Sequence, residues 1–225
     1  MFKNLLQFWK GKDFLNQVLE GFKNMLDDTE EMFRSVCRKL IDNVEEEGLE
    51  EKIYRLDKKV NTLEKDIRKR IIGHLSVQPS VDISTCLVLM SVVKDAERLG
   101  DYAKNLLEVI KLLEKPINKE RYTNVFNHLE KEIAELFKRT KEAFLFSDEK
   151  KAKSSWDYER QITKKCDRII EELAKSNFSV NEAVCFTLTA RYFKRLAAHL
   201  TNIATSVIVP ISDLDYFEGK RGKDS

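Results

Sequence analysis

Residues that break helices are scarce in this chain. It has 7 glycines and 3 prolines among 225 residues, while 35% of positions are charged. Few breakers and many charges favour long amphipathic helices. An excess of either charge is also missing: 40 basic residues face 38 acidic ones. With the two signs interleaved there is no global field to draw in nucleic acid or anionic lipid. No apolar run approaches the roughly 18–20 residues of a membrane span. The N-terminus, Met1 to Lys10, lacks the apolar stretch and small-residue cleavage site of a secretory signal, so the sequence predicts a cytoplasmic protein. The four cysteines, Cys37, Cys86, Cys166 and Cys185, form no Cys-x-x-Cys pair, and each sits in a helical apolar pattern. They read as buried thiols in a reducing compartment rather than as disulfides or zinc ligands.

Recognisable catalytic patterns are absent too. There is no glycine-rich nucleotide loop and no His-Glu-x-x-His. No acid stands three residues before His74, His128 or His199, which excludes the Glu-x-x-His motif of di-iron bundles. No segment shows sustained strand alternation.

What remains is helix punctuation. Gly48 interrupts a charged amphipathic stretch that begins near Asp13, and Pro79 closes the next one. Asp82 can cap a third helix, which Pro116 ends. Asn118 and Asp148 can cap the fourth and fifth, and Ser179 with Glu182 forms a capping-box pattern before the sixth, which Pro210 ends. Helices are therefore predicted over 13–47, 49–77, 82–115, 118–147, 148–176 and 180–209. Ile83, Leu87, Met90, Val93, Ala96, Leu99, Ala103, Leu106, Ile110 and Leu113 make a continuous stripe on the third, and Leu56, Val60, Leu63, Ile67 and Ile71 do so on the second.

The six helices fall into two similar sets. Arg98-Leu99 with Asn105 recurs 97 residues later as Arg195-Leu196 with Asn202; Asp57 and Val60 align with Glu159 and Ile162 at an offset of 102. The predicted fold is all-α: two tandem, repeat-related antiparallel three-helix bundles, residues 13–116 and 117–210, with a basic-aromatic segment over 1–12 and a flexible tail over 211–225.

One segment, Lys94 to Asn105, is unusual. Glu97 and Asp101 lie four apart on one face, as do Asp57 and Asn61 on the preceding helix. A short loop makes these helices antiparallel, so the two pairs can face each other with up to four oxygen donors suited to a hard cation. Acidic pairs at this spacing also arise by chance in so charged a chain: Asp27/Glu31, Glu46/Glu50 and Glu47/Glu51 share it. Gly100, in mid-helix, costs about 1 kcal/mol against Ala and suggests close approach by a neighbour.

Asp95-Ala-Glu-Arg-Leu-Gly-Asp-Tyr-Ala-Lys-Asn105 resembles the signature of the PhoU family, Asp-Leu-Glu-Arg-Ile-Gly-Asp-x-Ala-x-Asn. Leu56 to Glu64 with the Gln78-Pro79 turn resembles the helix before it, and Arg191 to Ile203 resembles the family's second signature. The resemblance runs from about Asp13 to Val209. It implies a non-enzymatic negative regulator of phosphate uptake, acting with a phosphate transporter and/or a sensor histidine kinase. It also implies a metal, of a kind such as iron, magnesium or zinc, held by acid-x-x-x-Asp motifs. Here the departures matter. Asn61 stands in place of an acid in the first bundle. In the second, Glu159 persists but Thr163, Lys194 and Ala198 fill the other three positions, and Ser84 replaces the usual Arg after Asp82. The resemblance thus implies a metal site in the first bundle only, at Asp57, Asn61, Glu97 and Asp101. Lys194 is expected to pair with Glu159 in the second.

Two alternatives stay open: an accessory subunit of a sodium-coupled or Pit-type phosphate carrier with no kinase partner, and, remotely, a metal-dependent phosphate-ester hydrolase. Phe2, Leu5, Leu6, Phe8 and Trp9 beside Lys3, Lys10 and Lys12 could touch the inner face of a membrane. The reading leaves room for a homodimer.

Overall fold

A computed structural model describes residues 13–78 and 83–209. The expectations for residues 1–12, Pro79, Asp82 and the tail from 210 lie outside the described residues. Among the described residues every regular element is helical: α1 Asp13–Asp42, α2 Leu49–Val77, α3 Ile83–Leu112, α4 Lys119–Phe126, α5 Leu129–Phe146, α6 Glu149–Leu173 and α7 Val180–Thr205. None of them is long and apolar enough to cross a membrane.

Three helix starts are set by the side chains that the sequence marks. Asn118 Oδ1 accepts from the Arg121 amide at 2.9 Å. Asp148 Oδ1 accepts from Lys150 and Lys151 at 3.0 and 3.1 Å, and Ser179 Oγ from Glu182 at 3.2 Å. The last is half a capping box: the Glu182 carboxylate turns away to Arg121 at 2.6 Å, so it ties α4 to α7 instead.

The ends differ from expectation. The first helix stops at Asp42 rather than 47, because Asn43 takes a left-handed turn at φ 53°. The predicted fourth helix is two, α4 and α5, broken where Asn127 and His128 both adopt positive φ, 46° and 60°. α2 ends at Val77 as expected, while α3, α6 and α7 end three to four residues early, at Leu112, Leu173 and Thr205.

α1, α2 and α3 pack on one another, as do α5, α6 and α7. The two sets meet through α3 against α7 and α1 against α5, and their apolar side chains form one continuous core. α3 and α7 are therefore covered on two sides, and α3 buries Val88, Leu89, Val92, Val93, Ala96, Leu99 and Leu106. Two residues of its predicted stripe, Ile83 and Leu87, instead stay about half exposed. Phe33 of α1 reaches across to Phe137 of α5 and Phe193 of α7, with ring centroids 5.7 and 5.8 Å away. All four cysteines are buried.

Candidate functional site

Asp57, Asn61 and Asp101 come together between α2 and α3, as their spacing suggested. What they surround is a side chain that the sequence reading left out. Lys104 Nζ lies 2.9 Å from Asp57 Oδ1 and 3.2 Å from Asp101 Oδ1, so its ammonium joins the two helices. Asn61 Nδ2 donates to the other Asp57 oxygen at 3.3 Å, and Arg98 approaches the other Asp101 oxygen, also at 3.3 Å. Glu97 takes no part in this cluster's hydrogen bonds: its carboxylate is held by Lys94 at 2.7 Å on its own helix. Burial opposes charge on Lys104, but the hydrogen bonds it donates to Asp57 and Asp101, with the charges of those carboxylates, outweigh it and hold its pKa above the usual lysine value. Signals for Lys104 did exist. It follows Asp101 by three residues, on the same face.

A metal ion would need these carboxylates to converge on one point. As arranged they converge on an ammonium. Among the described residues no three His, Cys, Asp or Glu side chains are grouped to hold an ion. The residues present therefore do not fit a resident metal.

The matching place in the second bundle also differs from expectation. Lys194 does not pair with Glu159. It donates to both oxygens of Asp167, at 2.6 and 2.7 Å, from α7 to α6. Glu159 instead accepts from the Thr163 hydroxyl at 2.6 Å.

Gly100 faces α1 and Asp57. A Cβ built on it would meet Thr29 Cγ2 at 3.6 Å, Met32 Cε at 3.7 Å and Asp57 Oδ1 at 3.8 Å. The neighbours are close, yet there is room for a methyl group.

The opposite face of the same segment does something the sequence did not reveal. Asp95, buried at the junction of the two bundles, accepts from His199 Nδ1 at 2.7 Å and Asn202 Nδ2 at 3.1 Å. A carboxylate only accepts, so the His199 proton lies on Nδ1; its buried Nε2 meets no hydrogen-bond partner among the described residues. The Tyr102 ring stacks on His199 with centroids 5.6 Å apart, and its hydroxyl accepts from Arg195 Nε at 3.0 Å. Farther along, Asn181 Nδ2 donates to the Leu112 carbonyl at 2.7 Å. These pairs run in opposite directions along the two helices, so α3 and α7 are antiparallel. In the 97-residue register Asp95 corresponds to Tyr192 and Tyr102 to His199. Asp95 touches His199, and Tyr192 lies beside Tyr102, with ring centroids 6.0 Å apart. The two signature segments thus face each other about a local two-fold, and their polar residues form the seam.

Comparison with known proteins agrees with this geometry. The model of the PhoU domain matches residues 22–110 and again 126–207. The Thermotoga maritima "phosphate-specific transport system accessory protein PhoU homolog 1" is 26% identical over 222 residues, covering 92% of this chain and 87% of that protein. A Clostridium acetobutylicum PhoU homolog is 22% identical over 175 residues, covering 75% and 80%. The crystal structure of PhoU from Pseudomonas aeruginosa superposes with a TM-score of 0.74 at 21% identity, covering 87% of this chain and 95% of that one. The phosphate transport system regulatory protein PhoU from Streptococcus pneumoniae gives 0.76 at 18% identity, covering 90% and 95%. With the family's domain matched twice along its length, and its two signatures meeting at the seam, the chain belongs to the PhoU family.

Proposed function

We propose that this chain is a non-enzymatic regulator of phosphate uptake, working at the cytoplasmic face of the membrane as an accessory to a phosphate transporter, a sensor histidine kinase or both. The observation that carries this reading is the double match of the family's domain to both halves. The printed names of the relatives, accessory proteins of phosphate-specific transport systems, support it. The architecture suits the role. Two bundles with one core give a rigid body with long polar helix faces, and such a body acts by binding one partner conformation better than another.

The departures in the second signature leave one alternative open. Lys194, Ala198 and Thr163 replace residues usual in the family, so the partner can be a sodium-coupled or Pit-type carrier without a kinase. The hydrolase alternative gains no support: Glu97, one of its candidate metal ligands, is ion-paired with Lys94.

Deleting the protein, together with any second family member in the same cell, should alter phosphate uptake or phosphate-responsive gene expression. Uptake is measured with radiolabelled phosphate in rich and poor medium, and expression with a reporter. A change in both readouts points to a transporter–kinase circuit; a change in uptake alone points to the carrier variant. No change in either regime overturns the proposal.

A further inference from the structure

We propose that Lys104 is this chain's own substitute for a metal ion in the first bundle, so that the α2–α3 clasp needs no divalent or trivalent cation. The inference stands on charge and distance, independently of which partner the protein has.

Asp57 on α2 and Asp101 on α3 are both partly buried and face each other across the helix pair. Two carboxylates at that separation repel unless a cation lies between them. Lys104 supplies one, within 2.9 and 3.2 Å of the two. The charges then balance locally. Asp57, Asp101 and Glu97 carry three negative charges; Lys104, Arg98 and Lys94 carry three positive ones, each within 3.3 Å of a carboxylate oxygen. An incoming metal ion would have no uncompensated charge to neutralise. It would have to expel the ammonium of Lys104, a side chain only 23% exposed, and would leave a net positive cluster.

The second bundle has a simpler contact, a lysine on a single carboxylate. Lys194 Nζ is gripped by both oxygens of Asp167, again joining the last two helices of its bundle. A partner reading the Lys104 face would meet a permanent charge rather than an exchangeable ion. Its binding would then be independent of metal supply.

The test uses the full chain purified without nickel. Elemental analysis should find metal well below one ion per chain. The melting temperature should be the same in chelator as in added Mg²⁺, Mn²⁺, Zn²⁺ or Fe³⁺. Stoichiometric metal, or a melting temperature lowered by chelator, overturns the proposal. In Lys104→Met the two carboxylates lose their cation, so the melting temperature should drop by a few degrees and divalent ions should restore part of the loss. Lys104→Arg, which keeps the charge, should stay close to the parent. A Lys104→Met protein as stable as the parent and indifferent to metal also overturns it. If that variant does not fold, the metal content and chelator response of the parent still decide.

Discussion

Burial acts strongly on the thiols of Cys37, Cys166 and Cys185. Cys166 is enclosed between α6 and α7, and desolvation, aided by the adjacent Asp167 charge, pushes its pKa up to about 12. Burial drives Cys37 well above the normal thiol range and raises Cys185. The thiolate is the reactive form, and a pKa near 12 leaves on the order of one part in ten thousand ionised at pH 8. A redox or metal-ligating role for Cys166 is therefore unfavourable in the folded protein. The expected outcome is that a thiol reagent at pH 8 labels Cys166 and Cys37 negligibly in the native state and all four cysteines after unfolding in denaturant. Rapid native labelling, read site by site by mass spectrometry, would refute the burial that the apolar pattern around each cysteine led us to expect.

For helices, the sequence revealed starts better than ends. Asn118, Asp148 and Ser179 were identifiable because a cap is a local event, one side-chain oxygen and one amide two or three residues on. The break at Asn127-His128 was hidden because apolar spacing runs through it: Phe126, Leu129 and Ile133 keep a helical step, and all three are buried. Its one signal is Asn127, a residue type that tolerates left-handed backbone. The stop at Asn43 was masked by the glutamates that follow, which are good helix formers on any propensity scale. Asp57, Asn61 and Asp101 were found from spacing because two antiparallel helices bring such pairs together. Lys104 is not legible in the acid spacing, which says nothing of the cations that share that face. Gly100 offers a prediction at this scale. Every contact of its hypothetical Cβ is at ordinary van der Waals distance, so the glycine is not demanded by packing. Gly100→Ala should fold and gain about 0.5–1 kcal/mol from reduced backbone freedom in the unfolded chain, measured by urea denaturation. Destabilisation would mean that α1 and α2 sit closer to α3 than these distances allow.

Across the whole molecule, the two halves behave as parts of one body because polar pairs as well as apolar surface cross between them. Lys141 of α5 reaches Asp27 and Glu30 of α1 at 2.8 and 2.6 Å, and the Phe22 and Phe144 rings pack tilted with centroids 4.5 Å apart. The most enclosed polar link is Asp95 with His199 and Asn202. Its position explains why the family signature, read as a ligand motif, contains residues that make no sense as ligands: one helix face holds the cation clasp and the opposite face holds the neighbouring bundle. If that division is correct, the two faces should be energetically separable. Asp95→Ala leaves His199 and Asn202 without their acceptor at a buried seam, and His199→Ala leaves Asp95 with Asn202 alone; each should destabilise the chain by about 1–3 kcal/mol. Because the two side chains are in direct contact, the double variant should cost less than the sum of the single ones, by 0.5 kcal/mol or more. Pairing Asp95→Ala with Lys104→Met should instead give nearly additive losses, since the two residues share no partner and lie on different faces of α3. Equilibrium urea unfolding of the six proteins (parent, the three single variants and both doubles) measures both couplings. Additivity for Asp95 and His199 would remove the seam from the account, and strong coupling between Asp95 and Lys104 would mean that the signature acts as one unit after all.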